Sequence, residues 1–154
     1  MPFHIVLYQP EIPANTGNIV RTCAATGTHL HLIHPLGFST EDKYLKRAGL
    51  DYWREVTISH YQSYEDFLSK KGGGAMYLVE TGGSMNHTDP VYQDGDYLLF
   101  GKETSGIPAS ILAAHREQVI RIPMMNGTRS LNLSNTAAVV LYEALRQQQF
   151  NGLI

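Results

Sequence analysis

Short apolar runs alternate with segments of helical periodicity along the whole chain. The apolar runs predict five β-strands, at His4–Tyr8, His29–Ile33, Ala75–Glu80, Tyr97–Gly101 and Gln118–Ile122. Five helices are predicted between and after them, at Asn15–Thr26, Glu41–Ala48, Tyr64–Lys71, Pro108–His115 and Asn132–Gln149. The intervening segment Thr81–Asp96 is polar and is predicted to be a loop.

Local signals predict where these helices begin and end. Asn15 is predicted to cap the first helix and Gly27 to end it. Gly49 is predicted to end the second helix, and Ser63 followed by Asp66 resembles a capping box. The last helix has the clearest pattern, because one face carries its apolar residues, namely Ala137, Val140, Leu141, Ala144 and Leu145.

This order of elements predicts the fold class. Strands that alternate with helices are typical of an α/β domain with a mostly parallel sheet and helices on both faces. We expect a single domain over residues 1–154. Ligands of such sheets bind in the loops beyond the carboxyl ends of the strands. The loops that follow Glu80, Gly101 and Ile122 are therefore the candidate ligand-binding segments.

Composition narrows the class of protein. The 154 residues are 43% hydrophobic and 17% charged, which is a globular composition. The net charge of −2 argues against a protein that binds nucleic acid by bulk charge, and taken alone it favours a small-molecule enzyme. It leaves room for a few local phosphate contacts, and a dimer could combine basic patches from two chains.

The cellular compartment of the protein is indicated by three features that the sequence lacks: a pair of cysteines, a secretory signal and a membrane-spanning run. The single cysteine, Cys23, cannot form an intrachain disulfide and is expected to be a buried structural thiol. The sequence shows neither a secretory signal nor an apolar run of membrane-spanning length. We therefore expect a cytoplasmic protein without membrane association.

Two segments near predicted helix N-termini contain polar or charged residues that could bind a ligand or take part in catalysis. Asn15-Thr-Gly-Asn-Ile-Val-Arg21 places an arginine in an otherwise small and apolar helix, which by itself fits a solvated side chain. Gly101-Lys-Glu-Thr-Ser-Gly106 follows a strand, and its two glycines suggest a backbone that approaches a ligand closely. This segment is not a Walker A phosphate loop, because Ile107-Pro108 stands where that loop needs Lys-Ser/Thr. The dinucleotide-binding fingerprint is absent too, because no predicted strand is followed by G-x-G-x-x-G.

A third segment, Ile122–Asn135, joins a strand to the last helix. It contains many hydroxyl and amide side chains, including Ser130, Asn132 and Ser134, at a helix N-terminus whose free N–H groups point outward. Capping needs one such residue, so the excess favours a ligand site.

Taken together, these three segments resemble the motifs of the SPOUT superfamily of RNA methyltransferases. The resemblance extends over nearly the whole chain, through IVLYQPEIPANTGNIVRTCAATG, KRAGLDYW, YQDGDYLLFGKETSGIPASIL and IRIPMMNGTRSLNLSNTAAVVLYEALRQ. It is strongest with the bacterial enzymes that methylate the tRNA wobble nucleotide. It implies a C-terminal trefoil knot, a homodimer with the site at its interface, S-adenosylmethionine as cofactor and S-adenosylhomocysteine as product.

The resemblance also implies roles for individual residues. The catalytic residues would be Asn15, Arg21, Glu103, Ser130 and Asn132. The cofactor-binding residues would be Val79, Thr81, Gly101, Glu103, Gly106, Ile122, Pro123, Ser130 and Leu131. The residues expected to contact the tRNA anticodon stem-loop are Arg21, Lys46, Arg47, Trp53 and Arg129, although Trp53 could equally pack against the sheet.

Several alternatives stay open. The implied reaction is 2′-O-methylation of nucleotide 34, a cytidine or a modified uridine, in leucine tRNAs. The same chemistry could act at another tRNA position or on rRNA, and a non-catalytic RNA-binding module or a small-molecule enzyme are further readings. His29, His31 and His34 have no cysteine or acidic partner nearby, so we expect no metal site.

Overall fold

A fully parallel seven-stranded sheet forms the centre of the computed structural model, which describes residues 1–128 and 130–154 but not the side chains of residues 49–51. Its strands are β1 (His4–Tyr8), β2 (His29–Ile33), β3 (Ile58–Tyr61), β4 (Met76–Val79), β5 (Met85–Asn86), β6 (Tyr97–Phe100) and β7 (Val119–Arg121). Their spatial order is β3-β2-β1-β6-β4-β7-β5, so the predicted parallel sheet is confirmed.

The helices are α1 (Pro13–Thr26), α2 (Lys43–Trp53), α3 (Tyr64–Lys70), α4 (Ala109–Ala114) and α5 (Leu133–Gln147), with a 3-10 turn at Arg116–Gln118. Alternate residues of the strands point to two separate hydrophobic clusters. Helices α1, α2 and α5 cover one cluster, and α3 and α4 cover the other. Helices on both faces of the sheet are thus confirmed, whereas the trefoil knot stays a prediction. None of the described helices has the length and apolar character needed to cross a membrane.

The predicted start of the first helix was wrong. Helix α1 begins at Pro13 with Ile12 at the cap position, and Asn15 lies inside the helix with its side chain buried. Proline at the first helical position has no N–H to satisfy, which favours an early start. The predicted end was right, because Gly27 has the left-handed φ of 69° that favours glycine.

The second helix was predicted too short. Helix α2 starts after Asp42, which accepts a hydrogen bond from the Tyr44 N–H, and continues through Gly49 to Trp53. Glycine within a helix costs only about 1 kcal/mol relative to alanine. The half-buried Tyr52 and Trp53 pack against the core in the last turn, and this packing outweighs that cost.

Two strands were not predicted. Strand β3 lies at the edge of the sheet, and its sequence, Ile-Ser-His-Tyr, has no continuous apolar run. Strand β5 is a two-residue strand at the other edge, inside the segment predicted to be a loop. Both escape a search for apolar runs because edge strands are only partly buried.

Histidines cluster at one face of the sheet, as the sequence spacing indicates for His29 and His31. His4 Nδ1 lies 2.8 Å from His31 Nε2, and His31 Nδ1 lies 2.8 Å from the Tyr61 hydroxyl. Burial lowers the pKa of His4 and of His31 to about 4, with a further contribution from neighbouring histidines. Among the described residues, no group of three metal-ligating side chains is arranged to hold an ion.

This cluster predicts a loss of stability in mild acid. Because the unfolded chain binds these protons near pH 6.5 and the folded chain only near pH 4, the free energy of unfolding falls as the pH is lowered through this window. Urea unfolding between pH 7.5 and 5 should show this slope, and His31→Gln should make it shallower. An unchanged slope in His31→Gln would contradict this origin.

Candidate active site

A cavity of about 430 Å³ opens at the carboxyl ends of β4, β6 and β7, where a parallel sheet is expected to bind its ligand. Of the twelve residues predicted for catalysis or cofactor binding, ten line it: Asn15, Val79, Thr81, Gly101, Glu103, Gly106, Ile122, Ser130, Leu131 and Asn132. Pro123 is not among the lining residues, and neither is Arg21. The three loops chosen from the sequence therefore converge on one site.

The loop between Gly101 and Gly106 folds tightly back on itself. Lys102 and Gly106 exchange two backbone hydrogen bonds, with N···O distances of 3.2 and 2.9 Å. A Cβ on Gly101 would lie 2.2 Å from the carbonyl carbon of Gly106, and Gly106 has a φ of 71°. The sequence suggested that the glycines let the backbone approach a ligand, but the close approach that the structure shows is to the chain itself.

Glu103 holds the start of helix α1. Its carboxylate accepts hydrogen bonds from the backbone N–H groups of Glu11 and Ile12, at 2.9 and 2.8 Å, and from Asn15 Nδ2 at 3.3 Å. These N–H groups lie just before and at the cap position Ile12, so Glu103 fixes the segment that leads into α1. The capping hydrogen bond that we had assigned to the Asn15 side chain is not made by any side chain at the cap position.

Glu11 makes the reciprocal contact. Its carboxylate accepts hydrogen bonds from the backbone N–H and the hydroxyl of Thr104, at 3.1 and 2.7 Å. These two bonds lower the pKa of Glu11. The loop before α1 and the loop after β6 are thus joined by two acidic side chains, each of which accepts from the backbone of the other loop.

Asn15 and Asn132 extend this network to the last helix. Asn132 Nδ2 donates to Asn15 Oδ1 at 3.1 Å. The Asn132 side-chain oxygen in turn accepts from the backbone N–H groups of Ser134 and Asn135, so Asn132 caps α5. A continuous chain of hydrogen bonds, Glu103–Asn15–Asn132, therefore connects the three sequence motifs. We call it the motif network.

Glu80 is a cavity residue that the sequence analysis missed. It stands at the end of β4, and its Oε2 accepts from the Ile107 N–H at 2.9 Å. A Cβ on Gly106 would lie 2.5 Å from the same oxygen, so the glycine is required for this contact. Glu80 lies between the predicted Val79 and Thr81, and an acid at the end of a buried strand was the signal that could have identified it.

Arg21 does not share the cavity with the motif network of its own chain. It lies six residues after Asn15, which is about 240° around the helix axis and about 9 Å along it. Its side chain is exposed, and the guanidinium carbon lies 5.3 Å from the centre of the Tyr52 ring. A cation over an aromatic face is attracted by the ring, so helix α2 supports Arg21 from one side.

Three of the other residues predicted to bind RNA lie on α2. Lys46 and Arg47 are exposed, and Lys46 forms an ion pair with Glu41 at 2.9 Å. Trp53 is half-buried and packs against the core, which was one of the two environments predicted for it, the other being contact with RNA. The placement of Arg129 lies outside the described residues.

Comparison with known proteins identifies the family of this chain. Residues 2–142 match the SpoU rRNA Methylase family. The chain belongs to the SpoU methylase family. A Listeria innocua member is 59% identical over 157 residues, covering 100% of this chain and 93% of its own length. An Escherichia coli K12 member, named tRNA (cytidine(34)-2'-O)-methyltransferase, is 51% identical, covering 98% of this chain and 97% of its own.

Solved structures of SpoU methylases share the fold. One, described as giving structural insights into the 2-OH methylation of C/U34 on tRNA, has a TM-score of 0.91 and 45% identity and covers 97% of each chain. Another, an AdoMet-bound rRNA methyltransferase from Sinorhizobium meliloti, has a TM-score of 0.83 and 26% identity, over 94% of this chain and 56% of its own. AdoMet, which is S-adenosylmethionine, thus occurs in a SpoU-type relative.

The cavity fits such a cofactor on its own features. Its volume lies in the range of cavities that hold drug-sized ligands. Val79, Ile122 and Leu131 offer apolar surface for a purine, and the backbone around Gly101 offers polar groups. The lining acids Glu80 and Glu103 suit a ligand with positive charge.

Proposed function

We propose that this SpoU methylase transfers a methyl group from S-adenosylmethionine to the ribose 2′-oxygen of nucleotide 34, a cytidine or modified uridine, in tRNA, with leucine tRNAs as the expected substrates. Full-length identity of 51% with a relative named for this reaction carries the proposal. An intact motif network in the cavity supports catalysis over a non-catalytic binding role. A tRNA substrate also agrees with the predicted cytoplasmic location.

The chemistry requires positioning above all. S-adenosylmethionine supplies a methyl group that is already activated by its sulfonium, and its transfer leaves S-adenosylhomocysteine. The protein must hold the ribose hydroxyl in line with that methyl group and exclude water. The motif network fixes the side chains of Asn15 and Asn132 at one wall of the cavity, where Ser130 also lies. We assign these three residues to orienting the cofactor and the target ribose.

Arg21 is assigned to the RNA and not to proton abstraction. A guanidinium stays protonated in proteins, because its pKa lies above about 12. It is suited to bind the phosphate next to the target nucleotide and to stabilise the oxygen as it loses its proton. With the exposed Lys46 and Arg47 on the adjacent α2, it would form the surface that receives the anticodon loop.

The position of Arg21 favours a homodimer in which each site is completed by the partner. Thr136 lines the cavity, and Val139 and Tyr142 follow it at helical spacing along α5 with exposed fractions of 42% and 44%. Leu131, also at the cavity, is 43% exposed. The main apolar face of α5 is buried within the chain and is not available to a partner. We propose that the exposed apolar residues Leu131, Val139 and Tyr142 form the dimer interface.

Mixing two inactive variants tests this arrangement. In Arg21→Ala each chain keeps an intact cavity, and in Asn132→Ala each chain keeps its arginine. If Arg21 acts in the partner's cavity, refolding the two together should restore roughly a quarter of the sites, because half the dimers are mixed and each has one complete site. Methyl transfer to tRNA is the measurement. No recovery, with mixed dimers verified by mass spectrometry, would show that Arg21 acts in its own chain.

The substrate is tested with tRNA from a strain that lacks this protein. Purified protein and S-adenosylmethionine are added, and nucleoside mass spectrometry with mapping of position 34 reports the product. We expect 2′-O-methylated cytidine or uridine at that position, and a loss of at least about a hundredfold in Arg21→Ala, typical of a lost transition-state donor. Methylation of rRNA but not of this tRNA would overturn the choice of substrate and retain the chemistry.

A further inference from the structure

Glu80 differs from the other polar residues of the cavity in how much hydrogen-bonding capacity it has left. A carboxylate has about four acceptor positions. Glu103 uses three of them within the chain. Glu80 makes one short bond, from Oε2 to the Ile107 N–H, while its Oε1 has only the adjacent Thr81 N–H at 3.3 Å. Oε1 therefore remains available to the cavity that Glu80 lines.

The charge of the cavity points to a cationic ligand. Among the described lining residues, the titratable side chains are Glu80, Glu103 and Lys102, which together carry a charge of −1. A cavity of about 430 Å³ is roughly 9 Å across, so any charge inside it lies within about one Debye length of Glu80. Within such a distance a carboxylate distinguishes a charged ligand from its neutral counterpart.

We propose that Glu80, through the remaining acceptor capacity of its Oε1 in the cavity, makes the site prefer cationic S-adenosylmethionine over the product S-adenosylhomocysteine, which has no net charge. The inference rests on the proposed function, because it takes that cofactor as the ligand. Methyl transfer converts the sulfonium to a neutral thioether while the methyl group moves to the ribose oxygen and the hydroxyl proton is released to water. The attraction to Glu80 is therefore present before transfer and lost after it, which favours replacement of product by fresh cofactor.

Glu80 has a conservative variant that separates its charge from its structural contact. In Glu80→Gln the amide oxygen can still accept from the Ile107 N–H, so the loop after β6 keeps its anchor. Lys102→Gln removes the opposite charge from the same cavity and serves as the matched control. Far-ultraviolet circular dichroism and the urea midpoint of each variant report whether the fold is retained.

Titration calorimetry measures the affinities of three ligands for the wild type and both variants. The ligands are S-adenosylmethionine, S-adenosylhomocysteine and sinefungin, in which an amine-bearing carbon replaces the methylsulfonium. Glu80→Gln should reduce the preference for the two cationic ligands over S-adenosylhomocysteine by about three- to tenfold, and Lys102→Gln should increase it. Both shifts should shrink as salt is raised.

Two results would overturn the inference, and they differ in meaning. Equal weakening of all three ligands in Glu80→Gln, with no opposite shift in Lys102→Gln, would show that Glu80 only anchors the loop, and the proposed function would stand. Failure of the folded wild type to bind any of the three ligands would overturn the proposed cofactor as well.

Discussion

The hydrogen bonds that Glu103 accepts from the start of α1 are the interaction on which the rest of the site depends. The N–H groups of Glu11 and Ile12, which lead into α1, are both bonded by an acid from a loop about ninety residues later. The same carboxylate accepts from Asn15, and Asn15 accepts from Asn132, the cap of α5. Two helix starts and the turn after β6 are thereby fixed relative to one another, with the cavity between them.

This arrangement explains why the motif residues have such ordinary types. Asn132 has the ordinary task of capping a helix, and Glu103 and Asn15 use most of their hydrogen-bonding groups within the chain. In the function that we propose, their contribution is to hold the walls of the cavity in place before the ligand arrives, because methyl transfer depends above all on positioning. The charged residues to which we assign direct action on ligands are Glu80 inside the cavity and Arg21 outside it.

The sequence predicted the central strands, the amphipathic last helix and the three loops at the site, because buried strands and helix caps leave local patterns. It did not predict where α1 begins, because Asn15 was taken as the cap, whereas the helix starts at Pro13, whose missing N–H suits the first helical position. It missed β3 because Ser59 and His60 interrupt the apolar pattern at the edge of the sheet. It missed Glu80, whose contact with Ile107 depends on loops that come together only in the folded chain.

A double-mutant cycle tests most directly whether the motif network is one coupled unit. Glu103→Ala, Asn132→Ala and the double variant would be compared for the affinity of S-adenosylhomocysteine, in the wild type and again in an Asn15→Ala background. Because Glu103 and Asn132 are connected through Asn15, we expect a coupling energy above about 0.5 kcal/mol that disappears when Asn15 is replaced. Additive effects in the presence of Asn15 would contradict the account, because the three motifs would then contribute to the site independently.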